Sequence, residues 1–596
     1  MRPAEKSICK TFIGQAFIRG AERVTAWADL LDRINVFPVA DGDTGRNLQI
    51  SLRPLQHMDG DPEKTAKQFL YAARGNSGNI AALFFSEFIR LKHFADIPLL
   101  ADAGRKAAYR AVSDPKSGTM LSVFDTLADF PEGAGDTRIK TGMGKEKFPL
   151  SLAEKRVRAL AGTVAESAEL LPELRRADVV DAGALGLFLF LETFFYSLAD
   201  CPDGMISPVR RFQEKLNIAK TYHRESEKGH CISAVIRARG DRDEIRRSIS
   251  GCGEHAVIRT VPENDGEQYI AVHLHTQEKN RLREKLAALG NIREWSEEDM
   301  QAQTENIPRV HSGIRILTDG AASLNREDAK ALGITVLDSY ILAGDISMPE
   351  SLFPPAELYR HMREGKKVST SQASVFERHE HYQSACSQYE KVLYLCVGSV
   401  YTGNYGVAGA WRQSSDADDK FYVIDTGTAS GCLGLIALST ARYARKADDS
   451  ASVIPYAEKV ISRCEEYLFP DRLQYLAAGG RLSKSSAFFG DMLHMKPVIS
   501  PLAHGAEKVG MVRNRDAQLD FALDRLKIYL HKNTSFLILL EYSDNRDWVE
   551  GTVQAEIRKV SPDSEILLCP LSLTTGAHMG PGTWGAAFLP ADFRDA

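Results

Sequence analysis

Apolar residues at Ile8, Phe12, Ile13, Ala16, Phe17, Val24, Trp27, Leu30 and Leu31 recur at helical spacing and predict a helix from Ser7 to about Leu31. The same period predicts helices starting near Gly45 and over Thr65 to Tyr71, Ile80 to Phe94, Ala101 to Val112 and Leu152 to Leu171, then an apolar helix ending near Leu198. Four polar, glycine-containing turns interrupt this pattern, at 35–47, 73–79, 114–121 and 179–186, more loop chemistry than a structural bundle requires. Pro131 to Pro149, rich in Gly, Lys and Asp, reads as a flexible connection. The period then changes to two. Cys231 to Ala238, Ala256 to Val261 and Tyr269 to Thr276 alternate as strands, with helical spacing over Asp241 to Ser250 and about Lys279 to Leu289. Beyond Ser312, short apolar strands (Ile314 to Gly320, Ile334 to Leu337, Lys391 to Val397, Phe421 to Ile424) alternate with helices and predict a parallel sheet. Ligands of such sheets bind beyond the carboxyl ends of the strands. The expected architecture is multidomain: an all-α domain over 1–205, a small α+β domain over 206–308 and a two-subdomain α/β fold over 309–596.

Length agrees, since 596 residues exceed what one core organises. A net charge of -5 is near neutral for this length and gives no global affinity for polyanions. No apolar run reaches the roughly 18 residues that a membrane helix needs. The nine cysteines are scattered without a paired framework, which fits a reducing compartment, so a cytoplasmic location is expected. Nothing points to nucleic acid; peripheral membrane contact and a homodimer stay open.

The chemistry concentrates in the turns. In Asn35-Val-Phe-Pro-Val-Ala-Asp-Gly-Asp-Thr-Gly-Arg-Asn47, Asp41 and Asp43 flank Gly42, placing two hard carboxylates on a tight turn suited to Mg²⁺. Ala73-Arg-Gly-Asn-Ser-Gly-Asn79 opens a helix whose first N–H groups, with the Ser77 hydroxyl, suit an anion. On the third strand of the middle domain His273 and His275 share a face, while Ile270, Val272 and Leu274 face the other way. Two imidazoles with a thiol from a neighbouring strand suit Zn²⁺.

Together, the Asp-Gly-Asp turn, Ala73-Arg-Gly-Asn-Ser-Gly78, Ser117-Gly-Thr-Met-Leu121 and Val179-Val-Asp-Ala-Gly183 resemble the ATP-binding (DhaL) domain of dihydroxyacetone kinases, and above all the ATP-binding subunit of bacterial fatty-acid kinase. That resemblance implies an eight-helix barrel holding ATP through Mg²⁺. Asp41 and Asp43 match its metal-binding aspartates, and Asn35 is a further candidate ligand. Gly42, Thr44, Asn47, Asn76, Ser77, Gly78, Gly118, Thr119 and Asp181 match the nucleotide surroundings. Arg46 and Ser117 depart from the pattern. The same family has a middle domain that Gly229-His-Cys231 and Val272-His-Leu-His-Thr276 resemble, which implies Cys231, His273 and His275 as zinc ligands, with His230 an alternative.

The last segment resembles the DegV family of fatty-acid-binding proteins through Thr370-Ser-Gln-Ala-Ser374, Ser399-Val-Tyr-Thr-Gly-Asn-Tyr405, Gly479-Gly-Arg-Leu-Ser483, Lys496-Pro497 and Ala577-His-Met-Gly-Pro-Gly582. It implies that Thr370, Ser371, Ser399, Thr402, Gly403 and His578 surround a fatty-acid carboxylate, with Arg481 near the head group or on the face meeting the kinase domain, and an apolar tunnel for the chain. Thr318-Asp-Gly-Ala-Ala322, Gly398 and Asn404 depart from the family pattern by carrying fewer hydroxyls. The combined expectation is an ATP-dependent fatty-acid kinase, with Asp41, Asp43, His578 and Arg481 as its catalytic set and enzymes that accept acyl phosphate as partners. Its rivals are a nucleotide-regulated lipid sensor and a kinase of the dihydroxyacetone type.

Overall fold

Ala182–Leu198 is buried at every position, as a helix apolar on all sides must be, and the other N-terminal helices pack round it. The computed structural model describes residues 12–56, 58, 61–130, 139–140, 146–222, 229–262, 267–300, 313–344, 346–447, 449–472, 474–475, 495–531 and 535–593. They form two compact units, divided between Ile307 and Pro308.

In the first unit, the described residues between 12 and 198 form ten α-helices: α1 Phe12–Ala26, α2 Ala28–Ile34, α3 Thr44–Gln56, α4 Pro62–Ala72, α5 Gly75–Phe88, α6 Ile97–Ala111, α7 Met120–Ala128, α8 Leu150–Leu170, α9 Pro172–Ala177 and α10 Ala182–Leu198. The single helix expected from Ser7 to Leu31 is broken near Trp27. Its apolar stripe joins Phe17 to Phe88, Phe190 and Phe194 in one aromatic core. Inside that core Glu192 is fully buried, and Arg23 at 3.0 Å and Arg211 at 2.5 Å neutralise it.

The same unit contains a four-stranded antiparallel sheet of β1 His230–Arg239, β2 Glu254–Pro262, β3 Glu267–Thr276 and β4 Gly290–Asp299, in the order β2-β3-β1-β4. One face carries Ile232, Ala234, Ile236, Ile270, Val272 and Leu274 against α11 (Arg242–Ser250) and α12 (Lys279–Leu289). The opposite face carries Cys231, Ser233, His273 and His275, which pair across β1 and β3 as Cys231 with His275 and Ser233 with His273. That face meets the helices: Cys231 packs with Val39, and the buried Arg259 of β2 donates to the Phe69 carbonyl of α4 at 3.0 Å.

The second unit has a four-stranded parallel sheet of β5 Ile314–Asp319, β6 Ile334–Leu337, β10 Lys391–Cys396 and β11 Phe421–Asp425, ordered β11-β10-β5-β6, as the alternation of strands and helices predicts. A three-stranded antiparallel sheet joins β7 Ser339–Ala343, β8 Ile346–Pro349 and β9 Val368–Gln372. A six-stranded mixed sheet completes it, from β12 Glu465–Phe469, β13 Lys496–Leu502, β14 Gly505–Val512, β15 Phe536–Tyr542, β16 Glu565–Pro570 and β17 Trp584–Pro590. Among the described residues no helix is long and apolar enough to cross a membrane, and the cysteines are free.

Candidate functional sites

The first unit's cavity forms where two helix starts converge. Gly42 sits at φ 68° and Gly75 at φ 60°, so glycine lets the chain turn sharply before α3 and at the start of α5. Asp32 accepts hydrogen bonds from the Gly45 and Arg46 amides at 2.6 and 3.1 Å, capping α3, a role the sequence pattern does not reveal. Asn35, Asp41, Asp43, Thr44, Asn47, Asn76 and Ser77, all expected at the nucleotide, line one cavity with Pro38 and Gly75, and His273 and His275 close it from the sheet side. Gly78 lies behind the wall, where a Cβ would meet Ser51 Oγ at 2.1 Å. Gly118, Thr119 and Asp181 are not in the wall. Thr119 caps α7, and Asp181 caps α10 through the Ala184 amide at 2.7 Å. Burial pushes the Asp181 carboxyl up to about 7.

Asn35 Nδ2 donates to Asp41 Oδ1 at 2.6 Å, while Asn35 Oδ1, also buried, has no hydrogen-bond partner. Burial, together with Asp43 and Asp32 nearby, pushes the Asp41 carboxyl well above the ordinary carboxylate range. Burial raises Asp43 as well. Two crowded carboxyls beside an orphaned amide oxygen form an all-oxygen donor set, which fits a hard divalent cation such as Mg²⁺.

Beside them, Cys231, His273 and His275 are 8, 2 and 6 % exposed, and their donor atoms lie within 4.8 Å of one another. Ser233 Oγ lies 2.9 Å from His273 Nδ1, which leaves Nε2 facing Cys231 Sγ at 3.9 Å. His275 Nδ1 is buried without a hydrogen-bond partner. Burial lowers His273 to about 3 and His275 to about 4, so both imidazoles are neutral at physiological pH, the form that binds metal. The Cys231 thiol is raised by burial and then by Asp43, Asp41 and Glu298, a penalty that a cation on the sulfur would reverse. Orphaned nitrogen and soft sulfur together fit Zn²⁺.

The second unit has its own cavity, at the carboxyl ends of β5 and β10. Thr370, Ser371, Thr402 and His578 line it with the apolar Ala321, Val397, Leu468, Pro501, Ala506 and Met579. Thr370 Oγ1 lies 3.1 Å from His578 Nε2, and Gln372 Nε2 donates to Thr402 Oγ1 at 2.8 Å. Ser399 and Gly403 are expected at this head group but lie outside the wall; the Ser399 amide donates to Asp425. Arg481, with Gly479 to Ser483, lies outside the described residues. Seven polar wall residues were not in the expected set, Ser339, Gln372, Tyr401, Asn404, Ser430, Thr574 and Thr575. Asn404 donates to the buried Asp319 at 2.7 Å, so its place follows from a pairing 85 residues away in the chain that no local pattern encodes.

Residues 38–196 match the DAK2 domain, and residues 313–591 match the family described as "Uncharacterised protein, DegV family". The chain joins a DAK2 domain to a DegV domain. An uncharacterized protein of Staphylococcus saprophyticus is 26% identical to it over 386 residues, 60% of this chain and 64% of that one. Protein YloV of Bacillus subtilis is 27% identical over 341 residues, 50% of this chain and 57% of that one. The chain thus spans between half and two-thirds of the length of these relatives. A DegV family protein from Thermus thermophilus, described as binding fatty acid, has 23% identity and a TM-score of 0.44, covering 46% of this chain and 99% of that one. The fatty acid kinase B3 protein of Streptococcus pneumoniae, loaded with linoleic acid, has 14% identity and a TM-score of 0.42, with 46% of this chain and 99% of that one covered.

Proposed function

We propose that the chain is an ATP-dependent fatty-acid kinase that makes acyl phosphate, with its nucleotide site in the DAK2 domain and its acceptor site in the DegV domain. The observation that carries this reading is the DegV cavity, which combines apolar wall residues (Ala321, Val397, Leu468, Pro501, Ala506 and Met579) with Thr370 and His578 held 3.1 Å apart. Such a wall suits an acyl chain with a carboxylate at one end. A small ketone needs no such apolar length. Thr370 and His578 offer donors to the carboxylate, whose burial without partners would be costly.

In the DAK2 domain Asp41, Asp43 and Asn35 would hold Mg²⁺, which when bound neutralises charge on the transferring phosphoryl group. Thr44, Asn76 and Ser77, at the starts of α3 and α5, line the same cavity and would offer hydroxyl, amide and backbone N–H donors to the phosphates. A carboxylate attacks without losing a proton, so no general base is needed, and His578 orients the acceptor. What remains for the protein is positioning and charge compensation, the main requirements of phosphoryl transfer. Cys231, His273 and His275 would hold Zn²⁺ beside the same cavity.

The test incubates purified protein with labelled ATP, Mg²⁺ and either palmitate or dihydroxyacetone, trapping acyl phosphate as the hydroxamate. Hydroxamate from palmitate alone is expected. Bound lipid without hydroxamate would favour a nucleotide-regulated lipid sensor, and phosphate on dihydroxyacetone would favour the small-molecule kinase.

A further inference from the structure

We infer that His255 is a fourth donor of the Cys231–His273–His275 centre, converting a three-donor zinc site into a closed Cys–His₃ site; this rests on the zinc reading above. The pairing of β2 with β3 slips just here: Glu254 lies opposite His275 and Val257 opposite His273, so β2 carries one residue more than its partner. His255 lies within that bulge at φ 54°, a left-handed conformation that residues with a Cβ adopt only under constraint. The turn before it presses onto β3, where a Cβ on Gly253 would stand 2.3 Å from the His275 carbonyl oxygen.

The consequence is a third imidazole on the metal-bearing face. The His255 and His275 ring centres are 5.7 Å apart at an interplanar angle of 70°. For His273 and His275, whose nitrogens already converge, the figures are 5.6 Å and 75°. Two imidazoles on one tetrahedral Zn²⁺, each nitrogen about 2.0–2.1 Å from the ion, hold their ring centres roughly 5–6 Å apart. His255 therefore stands at ligand spacing from His275. It remains outside the set whose donor atoms all lie within 4.8 Å of one another. His255 is exposed, and ligation requires its side chain to rotate so that a ring nitrogen reaches the ion. The bulge accounts for the left-handed backbone at His255, and it is where that bulge places the imidazole, beside His275, that favours ligation.

Closure changes what the centre does. Three donors leave a position for water or substrate, while four make a structural site. With His255 bound, the ion ties the β2 bulge to β1 and β3 on the face that meets Asp41 and Asp43.

The experiment loads the full-length protein with Zn²⁺ or Co²⁺ and compares wild type, His255→Ala, His255→Gly and His273→Ala. Wild type is expected to give the intense visible d–d bands of tetrahedral Co²⁺ with a thiolate ligand. In His255→Ala these bands should shift and change intensity as water replaces nitrogen, and chelator competition should show zinc affinity lowered about 10–100-fold. His255→Gly separates ligation from folding: relief of the left-handed strain should raise the metal-free Tm while zinc affinity still falls. Spectra and affinity unchanged in both His255 variants, with metal lost in His273→Ala, would overturn the fourth donor and leave the zinc reading standing. Wild type that takes up no stoichiometric Zn²⁺ would overturn both. A Co²⁺ spectrum that changes in Asp43→Asn but not in His255→Ala would assign the fourth position to the aspartate turn and overturn the inference.

Discussion

Asp319 shows how far a single side chain can organise a binding site. Its Oδ1 accepts from Arg378 at 3.1 Å, Tyr394 at 2.7 Å and Asn404 at 2.7 Å, and its Oδ2 accepts from the Val397 amide at 2.8 Å. Val397 and Asn404 both line the DegV cavity. Arg378 is 1 % exposed, so removing Asp319 strands a buried charge. Asp319→Ala should destabilise the DegV domain by about 3–5 kcal/mol, measured by urea unfolding against wild type. Asp41 belongs to a different class. Its burial is unfavourable until a cation arrives, so Asp41→Asn should leave the unfolding transition within about 1 kcal/mol of wild type. Turnover with Mg²⁺-ATP should nonetheless fall at least ~100-fold. Lipid co-purifying with Asp41→Asn should be unchanged, and altered lipid retention would count against separate nucleotide and acceptor sites.

At the scale of elements, helix starts and ends set the chemistry. Gly75 begins α5 at φ 60°, and a Cβ there would meet Asn47 Nδ2 at 2.1 Å. Asn47 hydrogen-bonds the Asp43 carboxylate, so Gly75→Ala should push it off the aspartate turn. An affinity loss of at least about tenfold for Mg²⁺-ATP, read by calorimetry, is the expected result, since the left-handed conformation alone costs ~1–2 kcal/mol with a Cβ. Another element, the helix Leu573–Met579, carries His578; Ser572 is its N-cap, and Glu350 adds a second hold on its start, accepting from the Leu573 amide at 2.6 Å and from Thr574. Burial raises the Glu350 carboxyl to about 7, with Asp338 adding to the rise and Arg326 opposing it. The folded state therefore holds this proton more tightly than the unfolded chain. Its contribution is intact below pH 4.5 and is lost as pH rises toward 7, by roughly 3 kcal/mol in all. Urea unfolding at pH 4.5 and 8 should show that loss in wild type, and Glu350→Gln should flatten it. This second hold was invisible in the sequence because its partners lie 223 residues apart. The strand β4 was missed for another reason. Apart from Ile292 and Trp295 it is polar or charged, as suits an edge strand, and so shows no clean alternation. By contrast, the placement of Asp41, Asp43 and Ser77 in one cavity was legible because turn chemistry is local, whereas Asn76 followed from the family resemblance. His273 and His275 were legible because a strand repeats every two residues.

For the whole molecule, the sequence implied three domains with different periodicities, and the chain folds into two compact units because the small sheet packs on the helices. No local pattern announces that packing, which depends on side chains such as Arg259 reaching the end of α4. The proposed pairing of a nucleotide domain with an acceptor domain in one chain has a kinetic consequence that distinguishes it from two cooperating proteins. Within one chain the second encounter is intramolecular, and intramolecular encounters of this kind reach effective concentrations in the mM range. Acyl-phosphate formation per mole of intact protein should therefore be independent of protein concentration from nM to μM. A protease site inserted between Ile307 and Pro308, the boundary of the two units, gives the comparison. After cleavage, rate per mole should fall in proportion to dilution, by about 10³-fold at μM protein if the halves separate. A concentration-dependent rate in the uncut protein would instead mean that donor and acceptor come from different copies, with a chain of one protomer serving the nucleotide of its partner.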